Sequence, residues 1–169
     1  HLGNNVYIGG GWNHIDFVWD DAQITVASTE TGYSVASQET GNRELAFSSD
    51  GTKFFVVGYQ GDDVGEYHMS TAWDVSTASY DSAFSVNSQE GYPHGLAFNT
   101  DGTKMFVSGY AGDDVNEYTL STGWDVSTAS FVDSFVVTDQ DTEPRGLAFS
   151  SDGTKMFISG NAGNTIEEY

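Results

Sequence analysis

Cysteine is absent from this sequence of 169 residues, and positive charge is scarce, with five Lys and Arg against 25 Asp and Glu. Without cysteine, the chain has no disulfide framework, no Cys-ligated zinc or iron–sulfur site and no thiol nucleophile. The formal net charge of -20 repels phosphate backbones and anionic membrane surfaces, so nucleic acid is not an expected partner. An acid-rich surface stays soluble where salt screens its self-repulsion, which favours a saline or extracellular setting.

Long apolar runs and known catalytic motifs are absent as well. The sequence has no run of about 18 apolar residues for a membrane span, and no basic and apolar leader opens it. No GxSxG, HExxH or phosphate-binding loop occurs. We therefore expect no membrane insertion, and a non-enzymatic protein is favoured.

What the chain does contain is an internal repeat. A segment reading LAFSSDGTKFFVVGYQGDDVGEY begins at Leu45 and returns with small changes at Leu96 and Leu147, so both intervals are 51 residues. Later in the unit, TAWDVSTAS around Trp73 returns as TGWDVSTAS around Trp124. The repeat is the primary clue to the fold, because periods of this size are typical of solenoids and propellers.

Each unit is predicted to hold four short strands, A to D. In the first full unit these are Leu45 to Ser48, Lys53 to Tyr59, about Val64 to Met69 and about Tyr80 to Val86. An Asp-Gly pair follows strand A and is a strong hairpin-turn signal, because glycine tolerates positive φ. No stretch shows a helical period.

Strands A and B are apolar on successive residues, so both of their faces must be covered. Face-to-face stacking of four-stranded units provides that cover and predicts an all-β fold, a β-propeller of four-stranded antiparallel blades; an irregular β-solenoid is the alternative. The predicted organisation is one propeller domain with two complete and two partial blades. They are residues 1–41 (strands B, C and D), 42–92 and 93–143 (complete), and 144–169 (strands A, B and C).

Segments such as FSSDGTKMFISG resemble the FSPDGTKLYV repeat of YVTN-type and WD-like β-propellers, including repeat arrays of marine bacterial and phage surface proteins. The resemblance covers Leu45 to Tyr169. It implies the propeller fold but no single function, since that family contains binding scaffolds, secreted proteins and enzymes. The Trp-Asp pair departs from true WD repeats, because it lies in the connection between strands C and D, and no His-based tetrad recurs.

The scarce basic residues occupy two repeat positions. Arg43, His94 and Arg145 stand just before strand A, where a propeller channel opens, and could form a cationic ring that binds a carboxylate or phosphate. The alternative is an ion pair within each blade with an acid four residues upstream. These acids are Glu39, Glu90 and Asp141.

The second basic position is a Lys after each Asp-Gly turn: Lys53, Lys104 and Lys155. We expect each to pair with the turn's Asp across the hairpin, a structural role. A Glu also recurs on strand C, as Glu66, Glu117 and Glu168, and is expected to hydrogen-bond on the strand face or between blades.

Two further patterns suggest ligands. Trp73 and Trp124, each followed by Asp, could be sugar-stacking platforms; alternatively each Trp caps its own blade and each Asp forms an Asx turn. Clustered carboxylates in the turns between strands B and C suggest calcium, although the third copy replaces them with Asn and Thr. The weak calcium candidates are Asp62, Asp63, Asp113 and Asp114.

These features favour a non-enzymatic binding or structural propeller module, extracellular, on a cell surface or on a virion, acting in adhesion or glycan recognition. Its expected partner is a protein or glycan surface, and separate pockets in each blade would bind multivalently. The alternative is a propeller hydrolase or lactonase with its site at the channel mouth. His14 and Asp16 are the only candidates for chemistry outside the repeat.

The ends of the sequence also bear on its organisation. The chain starts at His1 rather than at Met and ends within a repeat, at Tyr169. We therefore expect it to be part of a longer chain or of an assembly. In the second case, self-association would occur through the incomplete blades.

Overall fold

The computed structural model describes strand residues 14–18 and 23–27 and all of residues 31–139 and 141–169. The chain divides into two compact units, His1–Gly32 and Tyr33–Tyr169. In the first unit, β1 (His14–Val18) pairs with β2 (Gln23–Ala27) in antiparallel register. Among the described residues, no helix has the length and apolar character needed to cross a membrane.

The second unit consists of three antiparallel sheets in which consecutive strands are neighbours. Sheet 1 contains β3 (Asn42–Phe47), β4 (Lys53–Gly58), β5 (Asp63–Met69) and β6 (Ala78–Ser85). Sheet 2 contains β7 (Pro93–Phe98), β8 (Lys104–Gly109), β9 (Asp114–Leu120) and β10 (Ala129–Val136). Sheet 3 contains β11 (Pro144–Phe149), β12 (Met156–Gly160) and β13 (Ile166–Glu168). Two 3₁₀ helices, Val75–Thr77 and Val126–Thr128, precede β6 and β10.

An Asp-Gly turn joins the first two strands of each of the three sheets, as predicted. Gly51 has φ +69°, a left-handed conformation that glycine adopts without steric cost. The Asp50 carboxylate accepts hydrogen bonds from the backbone N–H and the hydroxyl of Thr52, at 3.0 and 2.8 Å, and closes the turn. These local bonds fix the hairpin between β3 and β4.

The three sheets stack face to face, and their first strands, β3, β7 and β11, lie side by side. Strand β4 is buried on both faces, because Phe54 and Val56 face one cluster while Phe55 and Val57 face another. The second cluster joins sheet 1 to residues of sheet 2 such as Met105. The predicted all-β fold of stacked four-stranded propeller blades is therefore confirmed.

Candidate functional site

Arg43, His94 and Arg145 each occupy a β-bulge at the start of the first strand of a sheet, namely β3, β7 and β11. The pairing of β3 with β4, of β7 with β8 and of β11 with β12 shifts register across these residues, each of which is left without an opposing partner. A bulge redirects the side chain of the extra residue, and bulges are frequent beside functional sites. All three side chains line one pocket of about 270 Å³.

Close approach of β7 and β11 brings two of these positions, His94 and Arg145, together. Gly95 follows His94, and a Cβ at this position would lie 2.7 Å from the carbonyl oxygen of Arg145. Any larger residue would therefore push β7 and β11 apart. The glycine after the bulge thus holds the His94 and Arg145 positions at the same end of the sheets.

Tyrosines complete the pocket, and the sequence pattern did not single them out. Tyr92 and Tyr110 line it, with ring centroids 6.0 Å apart. Tyr92 also stacks on Tyr59 at 5.0 Å, and the Arg43 guanidinium lies 4.4 Å above the Tyr59 ring. Tyr59 recurs one repeat later as Tyr110, and this recurrence could have indicated the pocket. Aromatic residues recur at many positions of the repeat, however, so the tyrosines did not stand out.

The surroundings of His94 favour its neutral form. Burial, followed by the charges of Arg43 and Arg145, lowers the pKa of His94 below its usual value, and Glu143 opposes this shift. Glu143 also pairs with the Arg145 guanidinium at 3.1 Å. The pocket therefore brings together two arginines, one glutamate and a histidine whose neutral form is favoured.

The acids upstream of the cationic positions bind backbone N–H groups rather than forming close ion pairs, although the charge of Arg145 contributes to lowering the pKa of Asp141. Glu90 is fully buried and accepts backbone N–H bonds from Tyr92, Ala111 and Gly112 at 2.6, 2.9 and 3.0 Å. Asp141 does the same in sheet 3, where burial tends to raise its pKa but the N–H groups of Gly163, Glu143 and Ala162 lower it below its usual value. These carboxylates stabilise the turns that follow β8 and β12, because they accept hydrogen bonds from the backbone N–H groups of those turns.

The predicted partners of the lysines are also wrong. Lys53 pairs with Glu66 rather than with Asp50, because the Asp50 carboxylate is engaged by Thr52 and Ser48. Glu66 stands opposite Phe55, two residues along β4 from Lys53, so the pair is a diagonal cross-strand contact. In the other two sheets the lysine likewise pairs with the strand glutamate instead of the turn aspartate, as Lys104–Glu117 and Lys155–Glu168.

Both tryptophans pack against their own sheets, as in the structural alternative. Trp73 lies 5.3 Å from Phe47, and Trp124 lies 5.2 Å from Phe98. The following Asp74 accepts from the backbone N–H of Ser76 at 3.0 Å, which is the expected Asx turn. A sugar-stacking role for Trp73 and Trp124 stays a prediction.

The acidic turns are shaped by backbone conformation. Asp62 and Asp113 both have φ +51°, the left-handed conformation that Asp tolerates in turns. Burial, together with neighbouring carboxylates, raises the pKa of Asp63 and Asp114. Across the described residues, no three His, Asp or Glu side chains converge to hold a metal ion, so calcium stays a prediction without a geometric site. The side chains of His14 and Asp16 lie outside the described part of the chain.

Comparison with known proteins bears on the fold. No protein-family model matches the chain. No curated protein matches it. Among solved structures, a protein from Lactobacillus plantarum is 18% identical and superimposes with a TM-score of 0.60, covering 91% of this chain and 45% of its own.

Two further structures are informative. The periplasmic gluconolactonase of Pseudomonas aeruginosa is 21% identical, with a TM-score of 0.54 over 72% of this chain and 33% of its own. A β-propeller domain from Myceliophteria thermophila is 14% identical, with a TM-score of 0.54 over 75% of this chain and 37% of its own. The chain spans less than half the length of each of these proteins. At these identities the likeness concerns the fold alone, and the fold is that of a β-propeller.

Proposed function

We propose that this protein is a non-catalytic binding module that holds an anionic ligand, such as the carboxylate of an acidic sugar, in the pocket between Arg43, His94 and Arg145. The observation that carries the proposal is the threefold β-bulge, which directs these positions of three consecutive repeats into one pocket. A bulge interrupts strand pairing locally, so its recurrence at the basic positions fits a role in positioning these side chains.

Charge and shape support an anionic, partly apolar ligand. The only two arginines of a chain with net charge -20 line this pocket, and a guanidinium fork matches a carboxylate in a bidentate arrangement. The exposed rings of Tyr92 and Tyr110 offer flat apolar faces of the kind on which sugar rings stack. Glycan recognition or adhesion at an extracellular, cell or virion surface is the setting that we propose for this site.

The number of sites follows from the geometry. The same basic position of three repeats, occupied by Arg43, His94 and Arg145, lines a single pocket. One ligand per pocket is therefore proposed, in place of one ligand for each blade. Multivalent binding would then require several copies of the protein.

Isothermal titration with glucuronate, with glucose as the neutral control, tests the proposal. We expect glucuronate to bind and glucose not to bind. Arg145→Ala should weaken glucuronate binding about tenfold or more, because it removes a charged hydrogen bond and leaves the Glu143 carboxylate in the pocket without its cation. The matched control Lys155→Ala makes the same charge change at an exposed pair and should bind as the unmodified protein does. Equal weakening in both variants, or no preference for the acid, would contradict the proposal.

The pH dependence gives a second measurement of the same site. Because the pKa of His94 is lowered, its imidazole gains a proton at a lower pH than an ordinary histidine, whose pKa is 6.5. A bound anion favours the protonated form, so affinity should rise as pH falls through this range. In His94→Gln this rise should disappear, whereas persistence of the rise would exclude His94 as its source.

A second candidate function is hydrolysis of a lactone in the same pocket. The observation that favours it is the neutral His94 between two arginines, on a fold shared with a solved gluconolactonase. A neutral imidazole can accept a proton from an attacking water, and guanidinium groups can stabilise the oxyanion that forms. Hydrolysis of gluconolactone above the buffer rate, lost in His94→Gln, would favour this enzyme over the binding module; a rate equal to buffer would remove it.

A further inference from the structure

Glu143 and Asn161 break the repeat beside the anion pocket. Two residues before His94 stands Tyr92, and the same position of the third repeat holds Glu143. Likewise, Asn161 stands where the second repeat has Tyr110. Asn161 Nδ2 donates to Glu143 Oε2 at 2.8 Å, so a polar pair replaces the contact between two tyrosine rings. The pocket wall is therefore aromatic where the second repeat forms it and acidic where the third repeat forms it.

The Glu143 carboxylate is held in place and still has acceptor capacity. Its Oε2 also accepts from Arg145 Nη2 at 3.1 Å. An ionised carboxylate can accept about four hydrogen bonds and donates none. Within residues 31–139 and 141–169, no group donates to Glu143 Oε1. Because Glu143 lines the pocket, it can accept a hydrogen bond from a hydroxyl group of a ligand there.

The two positive charges of the pocket are unequally opposed. Glu143 opposes the charge of Arg145, and the buried carboxylate of Asp141 interacts electrostatically with the same guanidinium. The Arg43 guanidinium lies above an aromatic ring, and among the residues that the structure describes no carboxylate pairs with it. When His94 is neutral, the two arginines and one glutamate that line the pocket therefore leave a single unopposed positive charge.

We propose that this pocket selects a carboxylate with a single charge and neighbouring hydroxyl groups, and excludes doubly charged phosphate esters, because of Glu143. This selectivity rests on the binding function proposed above and narrows its ligand class. The carboxylate of the ligand pairs with the Arg43 guanidinium, and a hydroxyl of the ligand donates to Glu143. Uronic and aldonic acids have both groups on one small molecule.

A phosphate ester meets two costs in this pocket. Near pH 8 it carries almost two negative charges, since its second pKa is about 6. Arg43 can match one of these charges, whereas the other lies in the same pocket as the Glu143 carboxylate, and juxtaposed like charges lower affinity. The phosphate dianion also has no proton to donate, so it cannot approach Glu143 as a hydroxyl group does.

Isothermal titration at about pH 8 with glucuronate and glucose 6-phosphate compares two anionic groups on the same type of sugar ring. Glucuronate should bind at least about tenfold more tightly. In Glu143→Gln the phosphate ester should bind about tenfold more tightly than it does to the unmodified protein, because a negative charge is removed, so the preference should shrink or reverse. The matched control Glu168→Gln removes the same charge from an exposed ion pair outside this pocket and should keep the preference.

Cyclohexanecarboxylate tests the contribution of the hydroxyl groups, because it has the ring size and the charge of glucuronate but no hydroxyl. It should bind at least about tenfold more weakly than glucuronate, since it cannot donate to Glu143. This difference should shrink in Glu143→Ala and stay unchanged in Glu168→Ala. Equal affinities in the unmodified protein, or a difference that survives in full in Glu143→Ala, would overturn the contact between Glu143 and a ligand hydroxyl.

The possible results separate this selectivity from the proposed function. If neither anion binds, both are overturned. If glucuronate binds and Arg145→Ala weakens it, but glucose 6-phosphate binds as tightly or more tightly, the binding module stands and the selectivity is overturned. If the preference is present but is the same in Glu143→Gln, Glu143 is not its source and the assignment to this residue is overturned.

Discussion

At the scale of single residues, the Lys–Glu pairs show how one repeated contact has different effects at different depths. Glu66 is fully buried and joins Lys53 to the N–H of Val126 in the next sheet, so this pair holds two sheets together. In the Lys155–Glu168 pair both side chains are about half exposed to solvent. The same two residue types therefore stabilise the fold by different amounts.

This difference predicts unequal effects of the same substitution. Lys53→Met should lower the free energy of unfolding by about 3 kcal/mol, because it leaves the Glu66 carboxylate buried without its cation. Lys155→Met should lower it by less than about 1 kcal/mol, because an exposed pair contributes little. Denaturant unfolding followed by tryptophan fluorescence compares the two variants directly.

The pH dependence of that comparison has a defined sign. Burial raises the pKa of Glu66, while Lys53 and the N–H of Val126 lower it in part. Without Lys53 the folded-state pKa rises further, so Glu66 gains a proton more easily and the deficit of Lys53→Met should shrink as pH falls. Equal losses in both variants, or a deficit that grows in acid, would contradict this account.

The residue scale also shows where sequence reasoning fails. The repeated Lys positions could be read from the sequence, but their partners could not, because Asp50 is engaged by Thr52 two residues away. Glu66 lies 13 residues from Lys53, and only the register of β4 against β5 makes them neighbours. Local bonds within the turn thus decided which acid remained for the lysine.

At the scale of elements, a buried carboxylate lies in the connection from β6 to β7 and another in the connection from β10 to β11. Glu90 follows β6 and binds the N–H groups of the turn after β8, so it fastens the start of β7 to that turn. Gly109, at the end of β8, lies directly beside this carboxylate. The absence of a side chain at Gly109 is therefore required by packing.

This packing predicts opposite outcomes for two glycine substitutions. Gly109→Ala should destabilise the fold by roughly 1–3 kcal/mol, because its Cβ would lie 2.5 Å from the Tyr92 carbonyl oxygen and collide with Glu90. Gly91→Ala should change stability little or raise it slightly, because the nearest atom to its Cβ is Asn87 Oδ1 at 3.9 Å. Thermal unfolding of both variants gives the comparison, and equal midpoints would contradict the role of Glu90 as a packed anchor.

Strands and turns were predictable from the sequence, and bulges were not. The Asp-Gly turns and the strands with apolar residues on both faces predicted β4 at Lys53 to Tyr59, and the observed strand is Lys53–Gly58. The bulges at Arg43, His94 and Arg145 depend on pairing register, which leaves no local signature in the sequence. The scarcity of basic residues nevertheless identified these three positions, whereas the tyrosines around them were hidden among many aromatics.

At the scale of the whole molecule, charge is the least balanced property. The net charge of -20 places many like charges on a chain of 169 residues, and compaction brings them closer together. Both arginines are gathered in one pocket, so they do little to offset repulsion elsewhere. Folding therefore works against a long-range electrostatic cost that depends on ionic strength.

Added salt should therefore stabilise the protein. The screening length falls from about 30 Å at 0.01 M to about 10 Å at 0.1 M, so the thermal midpoint should rise most steeply below about 0.1 M and then level off. A gain of about 1 kcal/mol corresponds to roughly 2–4 °C for a chain of this size. Sodium chloride and choline chloride at equal ionic strength should give the same rise, because screening does not depend on the identity of the cation. A midpoint that does not respond to salt would contradict the repulsion argument, and a rise seen with only one cation would show specific cation binding instead.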